Sequence, residues 1–430
     1  MKCYSNYRDS GLAFVEKIPQ HWDLKRAKYF FYEIDERSEK GDEDLLSVSH
    51  ITGVTPRSEK NITMFMAESY EGYKTCIPND LVINIMWAWM GALGVSKYQG
   101  IISSAYGVYR QKNTNNFYTD YLEYLVRIPE YIAEYTRRSK GIRSSRLRMY
   151  SDDFFQIPII CPPIEEQRTI AHFLDRKLEQ IDHFISNKQR LIELLKEQKS
   201  AIANRAVTKG LNPHAPMKPS SIEWLREIPE HWEAKRAKYY FYEVDERSET
   251  GTEELLSVSH ITGVTPRSEK NITMFQAESY EGYKTCQVGD LVSNIMWAWM
   301  GALGVSNYSG IVSSSYGVYR QKNPDNFVSR YLDYLVRTNS YISEFICRSK
   351  GIRSSRLRMY TDDFFDIPII KPPKEEQEKI LSYIDAESAK IDLAIAKIEK
   401  EIELIQEYRT TLISNAVTGK IDVRELTYSR

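Results

Sequence analysis

Apolar residues recur at every seventh position in two long segments, the first reaching to about residue 209 and the second in the C-terminal part of the chain. Leu174 opens the first row and Ile384 the second, each with a companion row offset by four residues. This spacing is typical of a coiled-coil seam. About 40 residues at 1.5 Å per residue would give a rod of roughly 60 Å. We therefore predict two long helices that pack as an antiparallel pair.

The predicted inter-helix seam consists of Leu174, Leu178, Ile181, Ile185, Ile192, Leu195, Ile202, Ile384, Ile391, Ile395, Ile398, Ile402, Ile405 and Leu412. The segments that precede the helices mix short apolar runs with turn signals. Residues 80–87 and 100–109 are predicted strands, and 118–135 has apolar residues at helical spacing. Prolines at 162–163 end the last strand, and an acidic pair favours a helix start directly after them. The predicted fold class is α+β, with globular mixed heads separated by the long helices.

The chain repeats itself at an offset of 210 residues, so that Leu45 returns as Leu255. Roughly 115 of the 150 positions from His21 to Ile170 are identical in the second copy. The repeat predicts two heads related by a pseudo-two-fold axis. The predicted domains are a first head over 1–162, a long helix over 163–209, a second head over 210–372 and a second long helix over 373–430.

Amino-acid composition limits the classes to which this protein can belong. Hydrophobic residues make up 42% of the 430 positions, which supports two sizeable cores. No apolar run approaches the ~18 residues of a membrane span, and the N-terminus lacks the apolar core of a signal peptide. The five cysteines form no CxxC pair. We expect a reduced, cytoplasmic protein without membrane contact, in which the repeated Cys76 and Cys286 are buried thiols.

Charge is close to balanced, at −1 overall, but it is unevenly distributed. Residues 131–150 hold six basic side chains against Glu134, and 341–360 repeat the pattern with five against Glu344. Such basic runs beside aromatic segments are compatible with DNA binding, although a solvated helix end is an alternative explanation.

Motifs of a self-sufficient enzyme are missing from the sequence. There is no phosphate-binding GxxxxGK[ST] loop, and the histidines and cysteines have no metal-ligand spacing. The Pro162–Pro163 pair lacks the asparagine and the aromatic residue of an amino-methyltransferase loop. We therefore predict no catalytic residue, no metal ligand and no cofactor in this chain.

Binding chemistry is better represented. Residues 86–110 interleave aromatic and basic side chains, and the polar loop 52–61 is identical in the second copy. For Trp87 and Trp89 we favour a place in the core, with DNA contact as the alternative. For His50 a structural role is favoured over a loop contact. The candidate DNA-binding residues are Thr55, Arg57, Lys60, Asn61, Lys97, Tyr98, Tyr106, Arg110, Arg138, Lys140, Arg143, Arg146, Arg148, Thr265, Arg267, Lys270, Asn271, Tyr308, Tyr316, Arg320, Arg348, Lys350, Arg353, Arg356 and Arg358.

Two motifs together resemble a known family. Residues 221–232 (SIEWLREIPEHW) resemble the opening of a target-recognition domain in the specificity subunits of type I restriction–modification systems, and 18–22 keep part of it. The motif PPxEEQxxI at 162–170 and 372–380 resembles the family's boundary between recognition domain and spacer helix. The resemblance covers the whole chain, although Arg226 stands where the family commonly has glycine.

The resemblance implies a non-catalytic subunit that reads double-stranded DNA. It implies two modification subunits, which bring S-adenosylmethionine and methylate adenine at N6, as partners. The resemblance leaves open whether restriction subunits, which use ATP and Mg²⁺, are partners as well. Each head would read one half of a bipartite target, and two like heads predict a palindromic or near-palindromic one. The alternatives are a stand-alone DNA-binding regulator, a protein-interaction scaffold and, disfavoured by its missing motifs, a self-sufficient modification enzyme.

Overall fold

The computed structural model describes residues 2–59, 69–142, 146–220, 222–269, 279–352 and 357–424. The chain forms two compact units, one from residues 1–189 with 399–430 and the other from 190–398. Each unit contains one head and part of both long helices. These units are defined by which residues contact each other in space. The boundaries at 162, 209 and 372 were predicted from the sequence pattern, and they stay a prediction.

The first unit is built from short strands and helices followed by one long helix. Its strands are β1 (Tyr7–Asp9), β2 (Lys17–Pro19), β3 (Asp23–Arg26), β4 (Phe31–Ile34), β5 (Leu46–Ser49), β6 (Gly53–Pro56), β7 (Lys74–Cys76), β8 (Leu81–Asn84), β9 (Leu93–Val95), β10 (Gly100–Ile102), β11 (Tyr106–Gln111) and β12 (Pro158–Cys161). Its helices are α1 (Ala27–Phe30), α2 (Thr119–Val126), α3 (Pro129–Arg138), α4 (Ser151–Phe155) and the start of α5 (Ile164–Lys209).

The second head repeats these elements. Its strands are β13 (Met217–Pro219), β14 (Glu227–Pro229), β15 (Glu233–Arg236), β16 (Phe241–Glu243), β17 (Leu256–Ser259), β18 (Gly263–Pro266), β19 (Lys284–Cys286), β20 (Leu291–Asn294), β21 (Leu303–Val305), β22 (Gly310–Val312), β23 (Tyr316–Gln321) and β24 (Pro368–Lys371). Its helices are α6 (Ser329–Val336), α7 (Asn339–Arg348), α8 (Thr361–Phe365) and the start of α9 (Lys374–Val417).

An antiparallel four-stranded sheet lies at the centre of each head. Its strand order is β4-β11-β8-β9 in the first head and β16-β23-β20-β21 in the second. The central pair sets Tyr106 opposite Asn84 at one end and Tyr109 opposite Leu81 toward the other. Small two-stranded sheets surround it. The predicted class, mixed α and β heads with two long helices, is confirmed.

The long helices run antiparallel within each unit. In the first unit, Asp182 pairs with Arg409 at 2.6 Å, and Lys188, further along α5, pairs with the earlier Glu401 at 2.7 Å. In the second, Lys199 pairs with Asp392 at 2.7 Å. The predicted seam residues are all buried or half-buried along these helices. The contact is apolar along the seam and lined by ion pairs beside it, as expected for coiled-coil packing.

Two predicted elements are shorter than the sequence pattern indicated. The strand over 80–87 ends at Asn84, whose side-chain carbonyl accepts from the amide of Met86 at 3.2 Å and so starts a turn. The helix over 118–135 breaks between α2 and α3, where Pro129 takes the first helical position. The second head breaks at the same place without proline, because the Thr338 hydroxyl caps α7 by accepting from the amide of Tyr341.

Candidate nucleic-acid interface

The central strand pair β8–β11 gives each head two different ends. We call the end that carries Asn84, the turn 85–91 and residues 138–142 with 146–150 the Trp87 end. We call the opposite end, where Asp80 begins β8 and Gln111 ends β11, the Asp80 end. The Trp297 end and the Asp290 end are their equivalents in the second head. The candidate residues are divided between these ends.

The turn at the Trp87 end presents apolar side chains to solvent. The amide of Trp87 donates to the Asn84 carbonyl at 3.0 Å, and a single 3-10 turn follows over Ala88–Met90. Gly91 closes it at φ 82°, a left-handed conformation that favours glycine. Trp87 is 51% exposed, and Met86 and Met90 are exposed beside it. The core interpretation is therefore wrong for Trp87, because the turn directs the indole outward.

Trp89 occupies a different environment from Trp87. It is half-buried, and its indole N–H donates to the Met86 carbonyl at 2.9 Å. The hydroxyl of Thr136 donates to the Trp89 carbonyl at 3.2 Å and links the turn to α3. Trp89 therefore holds the turn together while Trp87 faces solvent. The second head has the same turn, with Trp297 exposed and Trp299 bonded to Met296, but Ile346 stands in place of Thr136.

A basic hairpin, described over 138–142 and 146–150, lies against this turn. Lys140 and Arg148 exchange two backbone hydrogen bonds of 2.9 Å, and the Met149 amide donates to the Ile85 carbonyl at 3.0 Å. Lys140 also pairs with Asp153 at 2.8 Å. Among the described residues, Arg146 and Arg148 form no ion pair. Positive charge thus stands directly beside the exposed apolar turn.

Arg57 and Tyr106 belong to the same end of the head. Tyr106 begins β11 opposite Asn84, and Arg57 follows β6, on which Thr55 lies opposite Ser47. Burial raises the pKa of Tyr106, and the nearby positive charge of Arg57 opposes that shift. Tyr106 therefore stays a neutral phenol that can donate a hydrogen bond.

Other candidates lie at the Asp80 end. The Arg110 guanidinium donates two hydrogen bonds of 2.9 Å to the buried Asp80 carboxylate. Lys97 pairs with Asp120 at 2.7 Å, and this hydrogen bond raises the pKa of the lysine. Tyr98, next to Lys97, is exposed. These residues are not brought together with the basic hairpin, and their DNA contact stays a prediction.

The second head places its candidates in the same way. Arg320 binds Asp290 as Arg110 binds Asp80, Arg348 pairs with Glu344, and Lys350 pairs with Asp363. The residues Thr265, Arg267, Tyr308, Tyr316 and Arg358 occupy positions equivalent to those of the first head. Seven candidates lie outside the described residues, namely Lys60, Asn61, Arg143, Lys270, Asn271, Arg353 and Arg356.

Sequence reasoning missed Met86, Met90 and Asn84 as parts of this surface. A methionine flanking a tryptophan looks like core, and only the turn geometry exposes it. One signal was available, because residues 84–91 are identical to 294–301. In the described part of the chain no group of three or more metal-ligating side chains occurs. Likewise, no helix there is long and apolar enough to cross a membrane.

Two repeated mixed α and β heads on long helices define a class seen in solved structures. One similar chain comes from work described as the structural basis underlying complex assembly and conformational transition of the type I R-M system. The two chains have a TM-score of 0.58 and 14% sequence identity, and the match covers 94% of this chain and 99% of that one. Another is the HsdS subunit from Thermoanaerobacter tengcongensis, with a TM-score of 0.51 and 15% identity over 94% and 98%. These similarities establish the fold.

The family follows from the sequence. Residues 23–196 and 233–404 each match the model of the type I restriction modification DNA specificity domain, and the chain belongs to this family. It is a specificity subunit, the component that recognises the DNA target. The family resemblance predicted from the two motifs is confirmed. Comparison with curated protein sequences returned no match.

Proposed function

We propose that this specificity subunit reads a bipartite, palindromic or near-palindromic DNA target and docks two modification subunits that methylate adenine at N6. One observation carries the proposal. The Trp87 end and the Trp297 end consist of the same residues, since 84–91 equal 294–301 and 138–150 equal 348–360. Two equal surfaces recognise equal half-sites, and equal half-sites on opposite strands form a palindrome.

The charge of the two ends supports duplex DNA as the ligand. Each presents an arginine after its β6 or β18 strand and a hairpin arginine, Arg148 or Arg358, whose side chain is exposed. Such side chains neutralise phosphates and release counterions, which makes binding depend on salt. The near-neutral net charge of −1 predicts weak binding by the isolated subunit. Partner subunits would then supply much of the phosphate contact.

The long helices are suited to docking partners. Besides the seam, α5 and α9 keep large apolar side chains exposed, among them Phe184 and Leu404 in the first unit and Leu194 and Leu393 in the second. Exposed apolar side chains along one element are typical of a protein–protein interface. The modification subunits bring S-adenosylmethionine to these complexes, and restriction subunits, where present, use ATP and Mg²⁺. This chain contributes recognition and spacing.

The proposal is tested by co-expressing the chain with the modification subunit encoded beside it and purifying the complex. We expect transfer of labelled methyl groups from S-adenosylmethionine to adenine in duplex DNA only when this chain is present. DNA binding by the complex should weaken as salt rises. If an active modification subunit neither co-purifies with the chain nor methylates DNA in its presence, the regulator or scaffold alternatives gain support.

A further inference from the structure

Identity between the two copies is distributed unevenly over the surface of each head. At the Trp87 end, 84–91 and 138–150 are unchanged in the second copy. At the Asp80 end, the exposed turn 77–79 changes from IPN to QVG, and 118–120 change from YTD to VSR. Recent copying alone would leave both exposed ends equally similar. The Trp87 end therefore differs less between the copies than the Asp80 end does, although Ala105 becomes Ser315 and Arg137 becomes Cys347 beside it.

Substitutions at the Asp80 end also rearrange its ion pairs. The Lys97–Asp120 pair of the first head becomes Asn307 and Arg330 in the second. Arg330 instead donates to Asp385 on α9 at 2.7 Å. The Arg110–Asp80 pair persists as Arg320–Asp290, but the exposed charges around it differ between the two copies. The exposed residues of the opposite end, 84–91, are the better candidates for a shared ligand site.

Packing does not explain why the exposed side chains of the turn 85–91 are identical in the two copies. Trp87 and Trp297 are 51% and 52% exposed, and Met86 and Met296 are both 38% exposed. Ile142, near the tip of the basic hairpin, is fully exposed, and so is its equivalent Ile352. Large apolar side chains at exposed, invariant positions are costly to leave in water and are typical of binding surfaces. The neighbouring arginines favour a polyanion as the occupant.

We infer that Met86, Trp87 and Met90, with Met296, Trp297 and Met300, contact the bases of duplex DNA while the adjacent hairpins contact its phosphates. This inference rests on the proposed function and adds the residues that discriminate sequence. Methionine and tryptophan offer no charge for a phosphate, but they pack on thymine methyl groups or wedge against a base step. The arginines of the hairpin supply the phosphate contacts that fix register.

The test compares two classes of variant in the complex with modification subunits. W87A/W297A should lower methylation of the preferred target about tenfold or more while leaving the salt dependence of DNA binding unchanged. R148A/R358A should weaken binding to all duplexes alike and make the salt dependence shallower. The matched control is Y29A/Y239A, which removes aromatic rings that are also repeated and are somewhat more exposed, at 61% and 62%, from α1 and the corresponding turn. This control should leave methylation at the wild-type level.

Folding and function are separated in the same experiment. Circular dichroism melting checks that W87A/W297A folds, and W87F/W297F, which keeps an apolar ring, should recover most of the target preference. The inference is overturned if folded W87A/W297A methylates the same sequences at rates within twofold of wild type. If the wild-type complex itself methylates no DNA, the proposed function fails first, and the inference fails with it.

Discussion

A single carboxylate at the start of α5 organises the first head's entry segment. The Glu166 carboxylate accepts from the indole N–H of buried Trp22 at 2.9 Å and contacts the His21 ring at 2.8 Å. In the second head Glu376 makes the same contacts to Trp232 and His231. The PPxEEQ motif at the head–helix boundary therefore has a physical basis, because its second glutamate satisfies a buried tryptophan.

Replacing Trp22 with phenylalanine should destabilise the first unit by about 1–3 kcal/mol, because it removes the indole hydrogen bond to the buried Glu166 carboxylate and leaves that oxygen with the His21 ring alone. The measurement is the urea midpoint of unfolding followed by circular dichroism. Trp87→Phe is the control. Because the Trp87 indole is exposed, this substitution should leave the urea midpoint unchanged. Equal midpoints for the two variants would contradict this account of Glu166.

Thiol reactivity should divide the five cysteines into two groups. Burial raises the pKa of Cys76, Cys161 and Cys286 to about 12, whereas Cys3 and Cys347 are exposed. A raised pKa keeps the thiol protonated at pH 8, and the protonated form is unreactive. We expect an aromatic disulfide reagent to modify two thiols rapidly in the native protein and all five after denaturation. Rapid modification of Cys76 would argue against the buried strand pairing of β7.

For individual residues, the sequence predicted where charged side chains cluster better than it predicted which side chains are exposed. The basic hairpin was visible as a run of arginines, and the structure sets it beside an apolar turn. Trp87 was misjudged because its exposure depends on the hydrogen bond that the Met86 amide donates to Asn84 and on a left-handed Gly91. The DNA contact of Arg110 stays a prediction, and the sequence did not indicate that its guanidinium binds the buried Asp80, 30 residues away. Neither arrangement has a local sequence signal.

The long helices are the elements that the sequence predicted most fully. Apolar spacing of seven marked both, and they run over Ile164–Lys209 and Lys374–Val417. The sequence did not predict that each head would be completed by the end of the other copy's helix. Tyr121 donates to the carbonyl of Val417 at 3.0 Å, and Tyr331 donates to that of Val207 at 2.8 Å. Contacts so distant in sequence leave no periodic pattern.

The glycines that follow these helices provide a matched pair of variants. Gly419 and Gly210 both have left-handed backbones, at φ 76° and 74°. A Cβ on Gly419 would overlap the Pro19 ring, whereas one on Gly210 would lie 3.3 Å from Trp232. We expect Gly419→Ala to lower the melting temperature more than Gly210→Ala, and both to lower it because of the backbone strain. Equal or reversed effects in differential scanning calorimetry would contradict the packing described for Gly419.

For the whole molecule, the repeat predicted two equal heads, and both have the same strand order and the same two ends. Their relation by a pseudo-two-fold axis stays a prediction. The heads differ next to the proposed binding surface in the last turn of α3, where Thr136 and Arg137 become Ile346 and Cys347. Arg137 is largely exposed and pairs with Glu134 at 2.7 Å. The first head therefore carries one more positive charge near the proposed DNA surface.

Cys347→Arg should give the second head the positive charge that Arg137 provides in the first. We expect tighter target binding at low salt and a log–log salt slope steeper by up to about 0.9, the value for one additional phosphate contact. Arg137→Cys should change the slope by a similar amount in the opposite direction. The measurement is fluorescence anisotropy of a labelled target duplex with the complete complex over a series of KCl concentrations. Unchanged slopes in both variants would show that this turn lies away from DNA.

If two like heads read two like half-sites, the methylated target itself must be symmetric or nearly so. The most direct measurement is single-molecule sequencing of methylated adenines in DNA from cells that express this chain with its modification subunit. The account predicts one interrupted motif whose halves are palindromic or nearly so, with a spacer of fixed length. A bipartite motif with two unrelated halves would contradict the equal-heads account, because the identical Trp87 and Trp297 ends would then not determine the bases that are read.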